Sequence, residues 1–124
     1  MYHIRREVIS GDVCLYLESY KEGKVKFLTT KGEWKDKLTG NCLFTTFNDL
    51  WNWLYDLQLF PTYHVPAIVD SNWDVIYFCQ CHAANGVSWF NKFGTFDSEN
   101  HRLAFTTKEE ALAIINSLVK EKTL

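Results

Sequence analysis

The sequence lacks long apolar runs and a charge excess of either sign. No segment approaches the roughly 18 consecutive apolar residues expected of a membrane-spanning helix. Residues 1–10, MYHIRREVIS, place Arg5, Arg6 and Glu7 where a signal peptide needs its apolar region. The formal net charge is only −2, so no overall field attracts nucleic acid or an anionic membrane. These absences predict a cytoplasmic protein without a membrane partner, and they disfavour nucleic acid as a ligand.

Motifs that carry chemistry are scarce as well. The cysteines Cys14, Cys42, Cys79 and Cys81 show no spacing of a disulfide framework, and a chain of this length can fold without one. The cluster Cys79–His82, CQCH, lacks the second, separated pair that a structural zinc site normally has. No spacing defines a nucleophile or an acid–base pair. The sequence therefore predicts free thiols and a non-enzymatic protein with no metal, no cofactor and no catalytic residues.

Apolar residues, in contrast, are plentiful, and an internal repeat organises them. They make up 47% of the chain, and aromatic residues make up 16%, which is ample for a buried core. Two pairs of segments match at a displacement of 61 positions: YHIRREVIS at 2–10 with YHVPAIVDS at 63–71, and FTTFNDL at 44–50 with FTTKEEA at 105–111. Such self-similarity indicates a repeated architecture. We predict a single domain, residues 1–124, built from two repeats, residues 1–60 and 61–124.

The repeated unit is predicted from its periodicity. DVCLYLESY in the first copy and DVIYFCQCH in the second alternate in the manner of strands, and each is followed by a turn signal, KEGK or AANG. A returning strand and then a helix after Phe-Thr-Thr complete each copy. The predicted fold is α+β, with an internally duplicated βββα unit. We expect an antiparallel sheet of about six strands with both helices packed on one face, and pseudo-two-fold symmetry between the halves.

The helix starts have a physical basis. Thr46 with Asp49, and Thr107 with Glu110, have the spacing of a capping box, which satisfies free N–H groups at the start of a helix. Apolar residues then recur at helical spacing. The predicted buried stripes are Leu50, Trp53, Leu54 and Leu57 in the first helix, and Ala111, Ile114, Ile115 and Leu118 in the second.

An aromatic surplus on the first helix is the main candidate for function. Trp51 and Tyr55 are four residues apart and are therefore neighbours on a helix surface, whereas the second copy has Leu112 and Asn116 at the matching positions. Either the loop that carries Trp34 covers these rings, or they form an exposed patch of the kind that marks protein interfaces. The predicted partner-binding residues are Trp51, Tyr55 and Trp34, with Lys35 and Lys37 at the rim. The leading hypothesis is a binding protein that occupies the surface of a partner protein.

A second hypothesis uses the repeated Tyr-His pairs. Tyr2 with His3, and Tyr63 with His64, open equivalent strands, so the two pairs could meet at the pseudo-two-fold axis. Aromatic faces stack on bases and imidazoles meet phosphates, which would suit a small nucleotide-like ligand that the protein binds or sequesters. The structural alternative is that each pair simply starts a strand and bonds to its neighbours.

Lysines concentrate between residues 21 and 37, around Trp34. Lysines interleaved with an aromatic ring could bind single-stranded nucleic acid. Because acids are interspersed among them, a solvated hairpin and loop is the favoured interpretation, and nucleic acid remains a minority hypothesis.

The segment RLAFTTKEEALAIINSL resembles the strand-to-helix endings common in small bacterial and phage accessory proteins. The whole chain, short and rich in aromatic residues, looks like phage or mobile-element proteins that bind and inhibit a host or defence factor. The resemblance implies an inhibitor that acts in the host cytoplasm on a protein partner. The sequence leaves open whether the protein is a monomer or a homodimer.

Overall fold

The computed structural model describes residues 1–121 and consists of strands in two sheets, two α-helices and two short 3-10 helices. The strands of the first half are β1 (Tyr2–Ile9), β2 (Asp12–Lys21), β3 (Lys24–Leu28) and β4 (Trp34–Lys35). The strands of the second half are β5 (Thr62–His64), β6 (Ala67–Val69), β7 (Val75–Tyr77), β8 (Gln80–Ala83), β9 (Gly86–Phe90) and β10 (Phe96–Asp97). The helices are α1 (Phe47–Asp56) and α2 (Lys108–Glu121), and the 3-10 helices are Gly40–Cys42 and Glu99–His101. The predicted α+β class is confirmed.

The large sheet is mixed and has eight strands, in the order β10-β9-β8-β5-β1-β2-β3-β4, while β6 and β7 form a separate two-stranded sheet. At its centre β1 and β5 run parallel, and Tyr2 lies opposite Thr62. The predicted sheet of about six antiparallel strands is therefore wrong in strand number and in this central pairing. The edge strands β4 and β10 have two residues each, too few to show an alternating pattern. Each half contributes four strands to the large sheet, so the predicted βββα unit has one strand too few.

The second copy of the first strand is interrupted. Pro66 has no N–H to donate to a ladder, and it lies between β5 and β6. After this break the chain leaves the large sheet and pairs with β7, with Val69 opposite Val75. The β1–β2 and β6–β7 hairpins thus separate beyond the short parallel pairing of β1 with β5.

The two helices pack on opposite faces of the large sheet. Ile4 and Leu17, which lie opposite each other in β1 and β2, belong to a core cluster with Leu50 of α1. The next residue, Arg5, points to the other face, and its guanidinium donates a 3.2 Å hydrogen bond to Asn116 of α2. The prediction that both helices share one face is therefore wrong.

The physical reason lies in the central register. Because Tyr2 pairs with Thr62 rather than with Tyr63, the two tyrosines that match in sequence point to opposite faces. Tyr2 packs with the α1 cluster and Tyr63 with the α2 cluster. The sheet therefore has a core on each side. The buried members on the α1 side are Ile4, Leu15, Leu17, Leu28, Phe44, Leu50, Leu54 and Leu59, and those on the α2 side are Tyr63, Val65, Cys79, Cys81, Ala111, Ile115 and Val119.

The helix starts agree with the sequence. Thr46 Oγ1 accepts a 3.3 Å hydrogen bond from the Asp49 amide, and Thr107 Oγ1 accepts one of the same length from the Glu110 amide. The predicted first stripe is partly wrong, because α1 ends at Asp56 and leaves Leu57 40% exposed.

Three turns of five residues share one geometry: Thr29–Glu33, Asp70–Asp74 and Asn91–Thr95. In each, the side-chain oxygen of the first residue accepts hydrogen bonds from the backbone N–H groups of the third and fifth residues. The fourth residue has a positive φ, which is 83° at Gly32, 67° at Trp73 and 83° at Gly94. Glycine tolerates this left-handed conformation because it has no Cβ.

Alanine substitution at two of these positions separates backbone strain from packing. We expect Gly94→Ala to destabilise the protein by about 1 kcal/mol, because it meets only the left-handed strain and no atom lies within 4 Å of the added Cβ. Gly32→Ala should cost more, about 2–4 kcal/mol, because its Cβ would lie 2.7 Å from the Trp53 ring. Urea denaturation of both variants measures the difference. Equal losses would show that Trp53 does not press on Gly32.

Candidate functional site

A row of aromatic rings follows one side of α1. The ring centroids are 5.1 Å apart between Phe47 and Trp51, 5.7 Å between Trp51 and Tyr55, and 5.5 Å between Tyr55 and Phe60. The four-residue spacing of the first three places them on one side of the helix. We call these four residues the aromatic row.

The row rests on histidines of the second half. The ring of Trp51 meets that of His82 at 89°, with centroids 3.9 Å apart. His82 Nε2 lies 3.2 Å from His64 Nδ1, so β8 and β5 hold the two imidazoles together. Phe47 also packs on His64, at 5.1 Å. The row is thus anchored through Trp51 and Phe47 to the large sheet.

The outer part of the row is open to solvent. Tyr55 is 50% exposed, and Leu57 beside it is 40% exposed, while Trp51 and Phe60 are half-buried. Of the two arrangements that the sequence left open for Trp51 and Tyr55, the structure has the partly exposed patch. It thereby brings two of the predicted partner-binding residues together.

The other three predicted partner-binding residues lie elsewhere. Trp34 stacks on Tyr2, with ring centroids 6.1 Å apart. Its strand β4 forms one edge of the large sheet, and Trp34 packs against the same core cluster as Phe47 and Trp51. Lys35 and Lys37 are exposed near that edge, and Lys35 Nζ lies 3.8 Å from a Glu33 carboxylate oxygen. Trp34, Lys35 and Lys37 thus lie at or near the β4 edge and are not part of the aromatic row.

The predicted ligand pocket formed by both Tyr-His pairs is not present as such. Tyr2 and His64 lie on the α1 side of the sheet, whereas His3 and Tyr63 lie on the α2 side. The two histidines are therefore separated by the sheet itself. His3 is fully buried, and within residues 1–121 neither of its ring nitrogens has a hydrogen-bond partner.

The buried imidazoles are uncharged at neutral pH. Burial lowers the pKa of His3 to about 3, with a further contribution from Arg5. Burial, followed by the neighbouring His82 and His3, lowers the pKa of His64 to about 3, and burial lowers that of His82 to about 4. The aromatic row therefore stands on neutral rings rather than on a cationic site.

The CQCH segment is divided between the two faces of the sheet. Burial raises the pKa of the Cys79 thiol to about 12, and its Sγ donates to the Ala111 carbonyl, at 3.3 Å. Cys79 and Cys81 belong to the α2 core, while His82 faces α1. The thiol of Cys79 is thus a buried, protonated core group.

A cleft of about 450 Å³ opens where the two hairpins separate, on the α1 side. Its lining is largely apolar, with Arg6 as the cationic member and His64 as the imidazole. The lining residues are Ile4, Arg6, Val13, Leu15, Thr45, Phe47, His64, Val65, Pro66 and Ala67. His64 is the one predicted ligand-binding residue in this lining.

Sequence reasoning missed the residues that extend and support the row. Phe47 stands four residues before Trp51, so its place in the row had a signal in the helical spacing. Phe60 and His82 had none, because Phe60 joins Tyr55 only through the bend of the chain after α1, and His82 reaches Trp51 across the sheet.

Acid should destabilise the fold through its buried histidines. Because the unfolded chain binds protons near pH 6.5 and the folded chain does not, stability is full above that pH and falls below it. Three such groups lower the free energy of unfolding by up to about 4 kcal/mol between pH 7 and pH 5.5. Urea unfolding across this range measures the slope. In His82→Gln the free energy of unfolding should change less steeply with pH, because one fewer group takes up a proton on unfolding. A flat profile in the wild type would contradict the prediction.

Further features bear on the kind of site present. Among residues 1–121, no three His, Cys, Asp or Glu side chains converge to hold a metal ion. The helices of this part of the chain are too short or too polar to cross a membrane.

No protein-family model, curated protein or solved structure matches the chain. The function of the aromatic row has to be sought in its own geometry and chemistry.

Proposed function

We propose that this protein is a non-enzymatic binding protein that occupies the surface of a partner protein with the aromatic row. The observation that carries the proposal is the series of touching rings from Phe47 to Phe60, exposed at Tyr55 and braced by His82 at Trp51. Tryptophan and tyrosine are the commonest anchors of protein interfaces. Rings already held in place lose little conformational entropy on binding.

The second helix supports this interpretation by comparison. At the position matching Tyr55, α2 has Asn116, whose side-chain oxygen accepts a hydrogen bond from Arg5 of the sheet. At the position matching Trp51 it has Leu112, which packs against the α2 core. A helix of this fold can therefore be covered without exposed rings, so the row on α1 exceeds what packing requires.

The mode of action that we propose is steric. A braced row would cover an apolar patch of its partner and exclude other ligands from it. If the partner is a host or defence factor, this covering makes the protein an inhibitor of the phage-accessory kind, acting in the host cytoplasm. In this proposal Trp34, Lys35 and Lys37 form a separate, peripheral contact, because they lie at the far edge of the sheet.

We also propose that residues 1–60 and 61–124 are two copies of one unit related by a pseudo-two-fold axis along β1 and β5. Each half places four strands in the large sheet, then a 3-10 helix, then an α-helix. Isolated bridges occur at matching places, Leu15 with Phe44 and Tyr77 with Phe105. An axis in the plane of the sheet exchanges its two faces, which accounts for helices on opposite sides.

Removing the exposed ring tests the proposed surface. We expect Tyr55→Ser to weaken capture of the partner at least about ten-fold, because an anchor residue typically contributes 2 kcal/mol or more. The fold should be retained, since half of this side chain is in solvent. Quantitative affinity capture with the purified tagged protein measures the loss, and circular dichroism checks folding.

Phe93→Ser serves as the matched control, because Phe93 is 79% exposed and lies outside the row. It should leave capture unchanged. Equal recovery of the same partner by wild type, Tyr55→Ser and Trp51→Ala, all folded, would remove the aromatic row as the binding surface.

A second candidate function is the binding of a small ligand in the cleft between the hairpins. The cleft volume of about 450 Å³ and the presence of Arg6 and His64 in its lining favour it. Since His64 is neutral at pH 7, Arg6 provides the positive charge, and ligands with a single phosphate suit the cleft better than triphosphates.

A thermal-shift titration tests this alternative. We expect nucleoside monophosphates to raise the melting temperature, since a ligand at 100 times its Kd stabilises a protein by about 2.7 kcal/mol. Arg6→Ala should abolish the shift, while Lys21→Ala, outside this cleft, should preserve it. An unchanged melting temperature with every nucleotide would exclude the nucleotide hypothesis.

A further inference from the structure

The β6–β7 hairpin turn contains a tryptophan where equivalent turns contain glycine. The turns Thr29–Glu33, Asp70–Asp74 and Asn91–Thr95 have the same side-chain cap and the same positive φ at the fourth residue. Two of them place glycine there, and the third places Trp73, with a φ of 67°. A bulky residue in this conformation is strained, and such strain persists where function demands it.

Packing does not compensate for this strain. Trp73 is 87% exposed, the largest exposure among the large apolar residues that the structure describes. Beside it the cross-strand pair Val69 and Val75 is also open to solvent, at 55% and 47%. The hairpin therefore ends in an apolar tip made of these three side chains, which we call the Trp73 tip.

The first half of the chain shows that the fold does not need this tryptophan. The corresponding β1–β2 hairpin closes with a two-residue turn, Ser10-Gly11, whose φ angles are 53° and 85°. Its valines, Val8 and Val13, are paired and exposed like those of the second hairpin. Trp73 lies in the longer turn of the β6–β7 hairpin, whereas the β1–β2 hairpin closes without a tryptophan.

We propose that the Trp73 tip is a second protein-binding element, in which the indole inserts into an apolar pocket with a basic rim on a partner protein. The chemistry of the rim follows from the flanking residues. Asp70 and Asp74 border the tryptophan, and this tip, from Ala67 to Tyr77, carries no Lys or Arg. An indole needs an apolar pocket, and two carboxylates beside it favour a partner with Lys or Arg around that pocket.

The Trp73 tip is separate from the aromatic row. The row ends at Phe60, close to Thr62, where β5 begins beside Tyr2. The tip lies beyond Pro66, in the separate two-stranded sheet of β6 and β7. A variant in one element therefore leaves the other intact, and the two can be tested independently.

The test begins with a photo-crosslinking residue, p-benzoylphenylalanine, placed at position 73 in the full chain and, separately, at position 55. After irradiation in the producing cells, mass spectrometry identifies the crosslinked protein, which is then purified. Its Kd is measured for wild type, Trp73→Gly, Asp74→Asn and Phe93→Ser at two salt concentrations. Phe93→Ser is the matched control because it removes an exposed ring from a turn of the same geometry.

We expect a crosslink at position 73 and at least about ten-fold weaker binding by Trp73→Gly. Asp74→Asn should weaken binding a few-fold and reduce its salt dependence, and Phe93→Ser should bind as wild type does. The free Trp73→Gly protein should melt about 2–4 °C higher than wild type, because glycine relieves the strained backbone. Higher stability with weaker binding distinguishes a binding residue from a structural one.

Each of the following results would overturn the proposal. One is a crosslink at position 55 without any at position 73, or no crosslink at all. Another is unchanged affinity or a lower melting temperature in Trp73→Gly. The third is a crosslink to a second copy of this chain, which would identify the tip as a self-association element. Tyr55→Ser, measured in the same series, separates the two elements: loss of binding in that variant alone would leave the aromatic row standing and reject the Trp73 tip.

Discussion

The arrangement of this molecule depends on the parallel pairing of β1 with β5, in a register that places Tyr2 opposite Thr62. Since side chains alternate across a strand, an offset of one residue reverses the face of every matching position. Tyr2 therefore packs under α1 and Tyr63 under α2. The helices take opposite faces, and two cores form back to back. Proline then ends the pairing, so the hairpins separate and leave their tips free at one end.

The same inversion places each of the repeated histidines under the helix of the other half. His64 comes to lie beneath α1, where it meets His82 and Phe47, and His3 comes to lie on the side of α2. Burying an imidazole without full hydrogen bonding costs stability. In return, the neutral pair provides flat rings against which Trp51 is positioned. The support of the aromatic row and the acid sensitivity of the fold therefore have a common origin.

Much of the local structure could be predicted from the sequence, because its causes are local. Thr46 and Thr107 cap their helices through neighbours three residues away, and the hairpins follow from alternation and turn residues. The side of the sheet on which each helix lies could not be predicted, because the alternation within one strand does not reveal which residue of another strand lies opposite it. Trp51 and Tyr55 were found from helical spacing, whereas His82 reaches Trp51 only through tertiary pairing.

The two proposed binding elements have opposite effects on the stability of the fold. The aromatic row is braced: Trp51 and Phe47 contribute to packing on the sheet while Tyr55 extends the surface outward. The Trp73 tip is strained: its side chain makes few protective contacts and its backbone takes a conformation that glycine would adopt more easily. Selection for folding alone explains the first arrangement in part and does not explain the second. Strained residues cluster at sites that a ligand or partner uses, and for this reason the exposed tip is the more specific indication of binding.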